Sequence, residues 1–146
     1  MSDPGLALHD LAAQLREDDT PISPHVIDPA AAPVFGKIAA MGPRTAIAAG
    51  EYSLVVEAVR EGYLLHYGEP RLLSGHDTDL ALLAGDYLYA LGLDRLAALG
   101  DDHAVSVLSD LISDCAQFHA EGRDAEVPAL WESAARSIAG GRSQLS

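Results

Sequence analysis

Residues 82–92 read Leu-Leu-Ala-Gly-Asp-Tyr-Leu-Tyr-Ala-Leu-Gly, a nearly all-apolar stretch that predicts a buried helix. Two features break the local rules of such a helix. Asp86 carries a carboxylate, which is costly to bury without a partner. Gly85 and Gly92 each weaken a helix by about 1 kcal/mol. Residues of this kind inside a strong helix usually mark a functional or tightly packed site.

The glycines and the aspartate lead to separate expectations. Gly85 and Gly92 lie seven residues apart and share one face of the helix, where a neighbouring helix or a ligand can approach closely. Tight helix packing and the border of a ligand channel are two interpretations that stay open. We expect Asp86 to be a structural carboxylate, with Arg60 and Arg71 as its candidate partners.

Helical patterns cover most of the remaining chain. Asp77 is a suitable N-cap for the central apolar helix, and Gly68 with Pro70 ends the helix before it. Trp131 is expected to be the buried anchor of the last helix. No segment alternates convincingly as a strand, so we expect an all-α fold, a bundle of five to six helices. The predicted helices are 4–15, 32–41, 51–67, 78–99, 102–121 and 127–139.

The length and composition favour one domain. A chain of 146 residues with 49% hydrophobic residues can bury a sizeable core. Residues 1–50 are predicted to supply short helices and a proline-rich loop. Residues 51–146 are predicted to form the core of the helical bundle.

Charge and cysteine content exclude several classes of protein. The net charge of −13 argues against binding to nucleic acid or to anionic membrane surfaces, which need basic patches. It also disfavours a free anionic substrate, such as a diphosphate, unless a metal or a basic partner supplies positive charge. Cys115 is the single cysteine, so no intrachain disulfide can form. No signal peptide or transmembrane stretch is recognisable, and we expect a cytoplasmic protein.

Three motifs resemble metal or acid–base sites, and each has a plainer explanation. Cys115 and His119 are one helical turn apart, a spacing that can bind zinc, but two ligands do not make a site. Residues 76–79, His-Asp-Thr-Asp, coincide with a helix start, where Asp and Thr serve as caps. The acidic residues 17–19 are expected to form a solvated loop. We therefore predict no metal site and no catalytic residue.

Residues 68–70, Gly-Glu-Pro, followed by residues 85–88, Gly-Asp-Tyr-Leu, resemble the trans-polyprenyl diphosphate synthase family. Residues 96–101, Leu-Ala-Ala-Leu-Gly-Asp, extend the resemblance, which covers roughly residues 51–122. The resemblance implies a partial isoprenoid-synthase-like fold. In that family, two clusters of the form DDxxD hold the Mg²⁺ ions that bridge the substrate diphosphate.

This chain departs from the family at those metal-binding clusters. The region in which the first cluster is expected, residues 52–61, reads Tyr-Ser-Leu-Val-Val-Glu-Ala-Val-Arg-Glu. The two arginines that the family places before its Gly-x-Pro are here His66 and Tyr67. The second cluster normally lies farther beyond the Gly-Asp helix than this sequence extends. The resemblance is therefore to non-catalytic members of the superfamily, such as the small component of heptaprenyl diphosphate synthase.

The resemblance implies a subunit that is not a stand-alone enzyme. Such a subunit associates with a catalytic prenyl diphosphate synthase, or with itself, and helps to shape the isoprenoid chain-length pocket. It needs no cofactor of its own, and Mg²⁺ enters only through a catalytic partner. The alternative is a small helical module that binds an apolar isoprenoid-like ligand within the bundle. The candidate pocket or interface residues are Tyr63, Tyr67, Gly85, Asp86, Tyr89 and Gly92.

Overall fold

The computed structural model describes residues 3–140, which form six α-helices and no strand. The expected all-α helical bundle is confirmed. None of these six helices is long and apolar enough to cross a membrane. The described part leaves out residues 1, 2 and 141–146. Residues 141–146 are the end of the predicted bundle core. The helices are α1 (Ala7–Glu17), α2 (Val34–Ala40), α3 (Ala49–Tyr67), α4 (Thr78–Ala98), α5 (Asp102–Ala120) and α6 (Val127–Ala139).

Side-chain caps fix the starts of α4 and α5, two of the three long helices. The carboxylate of Asp77 accepts a hydrogen bond from the N–H of Leu80 at 2.8 Å. The carboxylate of Asp101 accepts one from the N–H of Ala104 at 3.0 Å. The capping interpretation of residues 76–79 is thereby confirmed, because Asp77 satisfies an N–H group that the helix itself leaves unpaired.

Helix α3 contributes residues to two hydrophobic clusters, which lie on different sides of the helix. Val55 and Val59 pack with residues of α5 and α6, in a cluster that includes the fully buried Trp131. Leu54 and Ala58 pack with residues of α1 and α4 in the second cluster. Helix α1 therefore shares a core with the predicted bundle, and Trp131 is the buried anchor that the sequence indicated.

Two buried carboxylates tie the connection after α3 back to that helix. Glu57 and Glu61 are both 0% exposed. Glu57 accepts hydrogen bonds from Arg71 Nη1 at 2.5 Å and from the N–H of Gly36 at 2.7 Å. Glu61 accepts them from Arg71 Nε at 2.9 Å and from the N–H groups of Arg71 and Leu72 at 2.7 and 2.9 Å. All four carboxylate oxygens are satisfied, so this network holds α2, α3 and the α3–α4 connection together.

Helix α4 is buried on one side only, which corrects the expectation that it is enclosed. The side chain of Asp86 is 76% exposed, and neither Arg60 nor Arg71 pairs with it. Leu82 and Leu83 are 52% and 54% exposed. The pairing expectation failed because Asp86 lies on the solvent side of α4, where its carboxylate keeps its hydration and needs no buried partner.

Candidate functional site

Four of the six candidate residues contact His66, which lies in the last turn of α3. The ring of His66 lies edge-on to those of Tyr67 and Tyr89, at centroid distances of 6.0 and 5.2 Å. Its Nε2 atom lies 3.4 Å from a carboxylate oxygen of Asp86. A Cβ placed on Gly85 would lie 2.3 Å from the same Nε2 atom. We call these five residues the His66 cluster.

Tyr63 and His119 extend the His66 cluster toward α5. The hydroxyl of Tyr63 and Nε2 of His119 are 2.8 Å apart. The ring of Tyr67 stacks on that of His119, with centroids 4.1 Å apart and an interplanar angle of 6°. His119 is therefore engaged by two tyrosines, whereas Cys115 is buried in the core below it.

Gly85 and Gly92 lie at the contact between α3 and α4, where the two backbones approach closely. A Cβ on Gly92 would lie 2.7 Å from Val59 Cγ2 and 3.1 Å from the carbonyl oxygen of Val55. Gly62 of α3 faces Gly85, and a Cβ there would lie 2.8 Å from the Gly85 carbonyl oxygen. Atoms of α3 thus occupy the space beside both candidate glycines. This geometry supports the packing interpretation, and it offers no room for a ligand chain at these two positions.

Burial controls the protonation of the groups between α3, α4 and α5. Burial raises the pKa of the Tyr89 hydroxyl and the pKa of the Tyr63 hydroxyl. The neighbouring Cys115 raises the pKa of Tyr63 further. Burial also raises the pKa of Cys115 to about 11, against the opposing influence of the Trp131 N–H and the charge of Arg60. These groups stay protonated at neutral pH, so the thiol is a poor nucleophile and the tyrosines act as neutral hydrogen-bonding groups.

Arg60 lies on α3 one turn before Tyr63, inside a cage of three aromatic rings. Its guanidinium carbon is 4.9 Å from the ring centroid of Phe35 and 5.0 Å from those of Tyr63 and Trp131. The ring of Trp131 in turn lies 5.6 Å from each of the other two. Burial lowers the pKa of Arg60, and the positive charge of Arg71 adds to that effect. An arginine nevertheless keeps its charge at neutral pH.

Sequence reasoning missed His66 and Gly62 as members of the site. Both lie on α3, four residues apart, and both face α4. Gly62 carried a usable signal, because it is a glycine in the interior of a strong helix, as Gly85 is. His66 carried a weaker one, since its position at the end of a helical stripe fits a surface residue equally well.

The site offers hydrogen bonding and aromatic contacts. Within residues 3–140, no group of three or more His, Cys, Asp or Glu side chains is placed to hold a metal ion.

Comparisons of the chain with protein families, curated proteins and solved structures find no match. The relationship to the trans-polyprenyl diphosphate synthase family therefore stays a prediction.

Proposed function

We propose that this chain is a non-catalytic helical subunit that associates, through the outer face of α4, with a catalytic prenyl diphosphate synthase or with a second copy of itself. The observation that carries the proposal is the exposure of leucines on a helix that is apolar on nearly every side. The resemblance carried by residues 68–70 and 85–88 supports a prenyl synthase as the partner.

The outer face of α4 comprises the exposed residues Asp79, Leu82, Leu83, Asp86, Ala90 and Asp94. Leu82 and Leu83 leave about half of their surface in water, and Tyr67, which contacts His66, is 40% exposed. His66 connects this face to α3, because its Nε2 lies 3.3 Å from the carbonyl oxygen of Leu82. Adjacent exposed apolar side chains rimmed by polar groups are typical of a surface that another chain covers.

The acidic side chains on the outer face favour a basic partner. Asp79, Asp86 and Asp94 are exposed along the same helix as the leucines. The chain as a whole carries a net charge of −13, so two copies repel each other at long range. Complementary charge on a different protein would instead attract this face and orient the contact. Of the two partners proposed, a catalytic synthase with basic residues around its docking site is therefore favoured over self-association.

The test measures association and prenyl transfer together. The chain is mixed with a prenyl diphosphate synthase from the same organism that carries both DDxxD clusters, and the complex is sized by chromatography with light scattering. Burying the exposed half of each leucine contributes about 1 kcal/mol. The double variant Leu82→Asp, Leu83→Asp should therefore weaken the complex by about 30-fold or more.

Ile47→Asp is the matched control, because Ile47 is 84% exposed and lies away from α4 in a short 3₁₀ helix. This variant should bind the synthase as tightly as the wild type does. In the mixture of the wild-type chain and the synthase, the product chain length should differ from that of the synthase alone. A wild-type chain that stays monomeric with the synthase present, and leaves its products unchanged, would refute the proposal. A homodimer that the double variant dissociates would select self-association.

A further inference from the structure

Arg60 differs from the other arginines of the described chain in its lack of an acidic partner. Six of the seven arginines in residues 3–140 have a guanidinium nitrogen no more than 3.1 Å from a carboxylate oxygen. The guanidinium of Arg60 makes no ion pair and no hydrogen bond with any residue in the range 3–140. The paired arginines are Arg16, Arg44, Arg71, Arg95, Arg123 and Arg136.

The guanidinium of Arg60 is held in place but has free hydrogen-bond donors. The cage of Phe35, Tyr63 and Trp131 packs against it at about 5 Å from each ring centroid, and such cation–π contacts fix its orientation. In the described chain, the buried side-chain nitrogens and oxygens without a partner belong to His76 and Trp131 alone. The nitrogens of Arg60 therefore reach solvent, and their N–H groups point to no acceptor of the protein.

We propose that Arg60 binds an oxyanion, a phosphate or carboxylate group of a small molecule, at the solvent-facing edge of this aromatic cage. A planar guanidinium presents a fork of N–H donors that matches two oxygens of such a group. The fork is already oriented by the three rings, so little side-chain freedom is lost when the anion binds. The site is separate from the outer face of α4 and does not depend on the proposed association.

The surrounding charges permit an anion at this position. Glu57 and Glu61 lie near Arg60, but their four oxygens are filled by Arg71 and by backbone N–H groups. The charges of Glu57, Glu61, Arg60 and Arg71, the last of which lies in the connection after α3, sum to zero. The remaining negative charge of the chain is spread over its surface, and physiological salt screens it beyond about 8 Å.

Trp131 gives a direct readout, because it is the single tryptophan and its ring contacts Arg60. Its fluorescence is followed during titration with sodium phosphate and, separately, with sodium acetate, at an ionic strength held constant with sodium chloride. The expected result is a saturable change with half-saturation in the millimolar range, and a loss of affinity of at least about tenfold in Arg60→Met. Saturation by phosphate, by acetate or by both supports the proposal and identifies the oxyanion.

Three variants separate anion binding from a purely structural role of Arg60. Arg60→Lys keeps the charge but lacks the fork, so it should bind more weakly than the wild type. Arg136→Met removes an exposed arginine from the same helix as Trp131 and should leave the titration unchanged. If Arg60→Met does not fold, the Nε–H resonance of Arg60 in the wild type must shift with the same saturation curve. The proposal is overturned by a fluorescence change that does not saturate, that survives in folded Arg60→Met, or that fails to appear.

Discussion

The two buried carboxylates of this bundle are retained because every one of their oxygens is hydrogen-bonded. Glu57 and Glu61 lie one turn apart on α3 with no exposed surface, and Arg71 bridges them. Two carboxylates so close would repel each other without that guanidinium. The network therefore depends on one side chain from the connection between α3 and α4, and that connection is ordered by the same bonds.

Replacing Arg71 should show how strongly the fold depends on this residue. Arg71→Met leaves two buried carboxylates with backbone N–H donors alone, and breaking a buried pair in this way costs about 3–5 kcal/mol. We expect the free energy of unfolding, measured by urea denaturation, to fall by that amount. Arg136→Met, which removes an exposed partner of Glu132, should change it by less than about 0.5 kcal/mol. If Arg71→Met lowered the free energy of unfolding as little as Arg136→Met does, that result would contradict the stabilising role of the network.

Asp101 should make the stability of the protein depend on acid pH. Burial opposes its ionisation, but hydrogen bonds from Tyr52 and Arg44 and from the N–H of Ala104 outweigh it and lower its pKa to about 2. The unfolded value is about 3.9. The stabilisation is therefore complete above pH 4 and is lost as the pH falls through the folded pKa.

The test compares the wild type with Asp101→Asn, which keeps the helix cap of α5 but removes the charge. Unfolding in urea should show the variant less stable by about 1–2 kcal/mol at pH 7, and the gap should narrow between about pH 4 and pH 2. Asp102→Asn, in the same turn but exposed, is the control. A gap between the wild type and Asp101→Asn that is the same at both ends of this pH range would count against the assignment.

The residue-level expectations failed where they depended on which side of a helix faces the core. Asp86 was expected to pair with Arg60 or Arg71, whereas those two arginines belong to the aromatic cage and to the buried Glu pair. Glu57 and Glu61 carried a signal, since two acids four residues apart share one face of a helix and repel each other unless a cation pairs with them. Their partner could not be named from the sequence, because it comes from a connection whose path only the structure shows.

At the scale of the elements, helix positions were predictable because their ends have local causes. The helix predicted at 127–139 has those bounds in the structure, and the one predicted at 78–99 differs by one residue at its end. Caps such as Asp77 and stops such as Gly100, whose φ is +75°, act within one turn of the chain. The side of a helix that is buried has no such local cause. For this reason the sequence of α4 did not predict that the helix is half exposed.

The close contact between α3 and α4 should be sensitive to a single methyl group. In Gly62→Ala, the new Cβ would meet the Gly85 carbonyl oxygen and the Tyr89 ring, each at 2.8 Å. Alanine favours a helix by about 1 kcal/mol over glycine, but overpacking costs about 1–3 kcal/mol. Because the contact includes backbone atoms of α4, which cannot rotate away, we expect a net loss of stability of about 1–2 kcal/mol.

Thermal unfolding followed by circular dichroism would give the sign of this effect. Ser113→Ala, at an exposed position of α5, is the matched control, because it improves helix propensity without entering a contact and should be neutral or slightly stabilising. If Gly62→Ala also stabilised the protein, the two helices would not be as close as the structure places them.

At the scale of the whole molecule, α3 joins the two hydrophobic clusters into one core. Leu54 and Ala58 belong to the cluster with α1 and α4, and Val55 and Val59 belong to the cluster with α5 and α6. The division of the chain at residue 50 came from its prolines, and it does not coincide with a division of the packing. Which helices share a core depends on contacts between residues far apart in sequence, and a single sequence does not display them.

Leu11→Ala tests whether the two clusters unfold as one unit. Leu11 is 0% exposed in α1, and such a truncation costs about 2–5 kcal/mol. Trp131 lies in the other cluster, and α3 is the main link between them. If α3 transmits the loss, the urea midpoints measured by helical circular dichroism and by Trp131 fluorescence should decrease together, as a two-state transition requires. A Trp131 midpoint that stays in place while part of the helical signal is lost would show that α1 and its neighbours melt separately from the α5–α6 side.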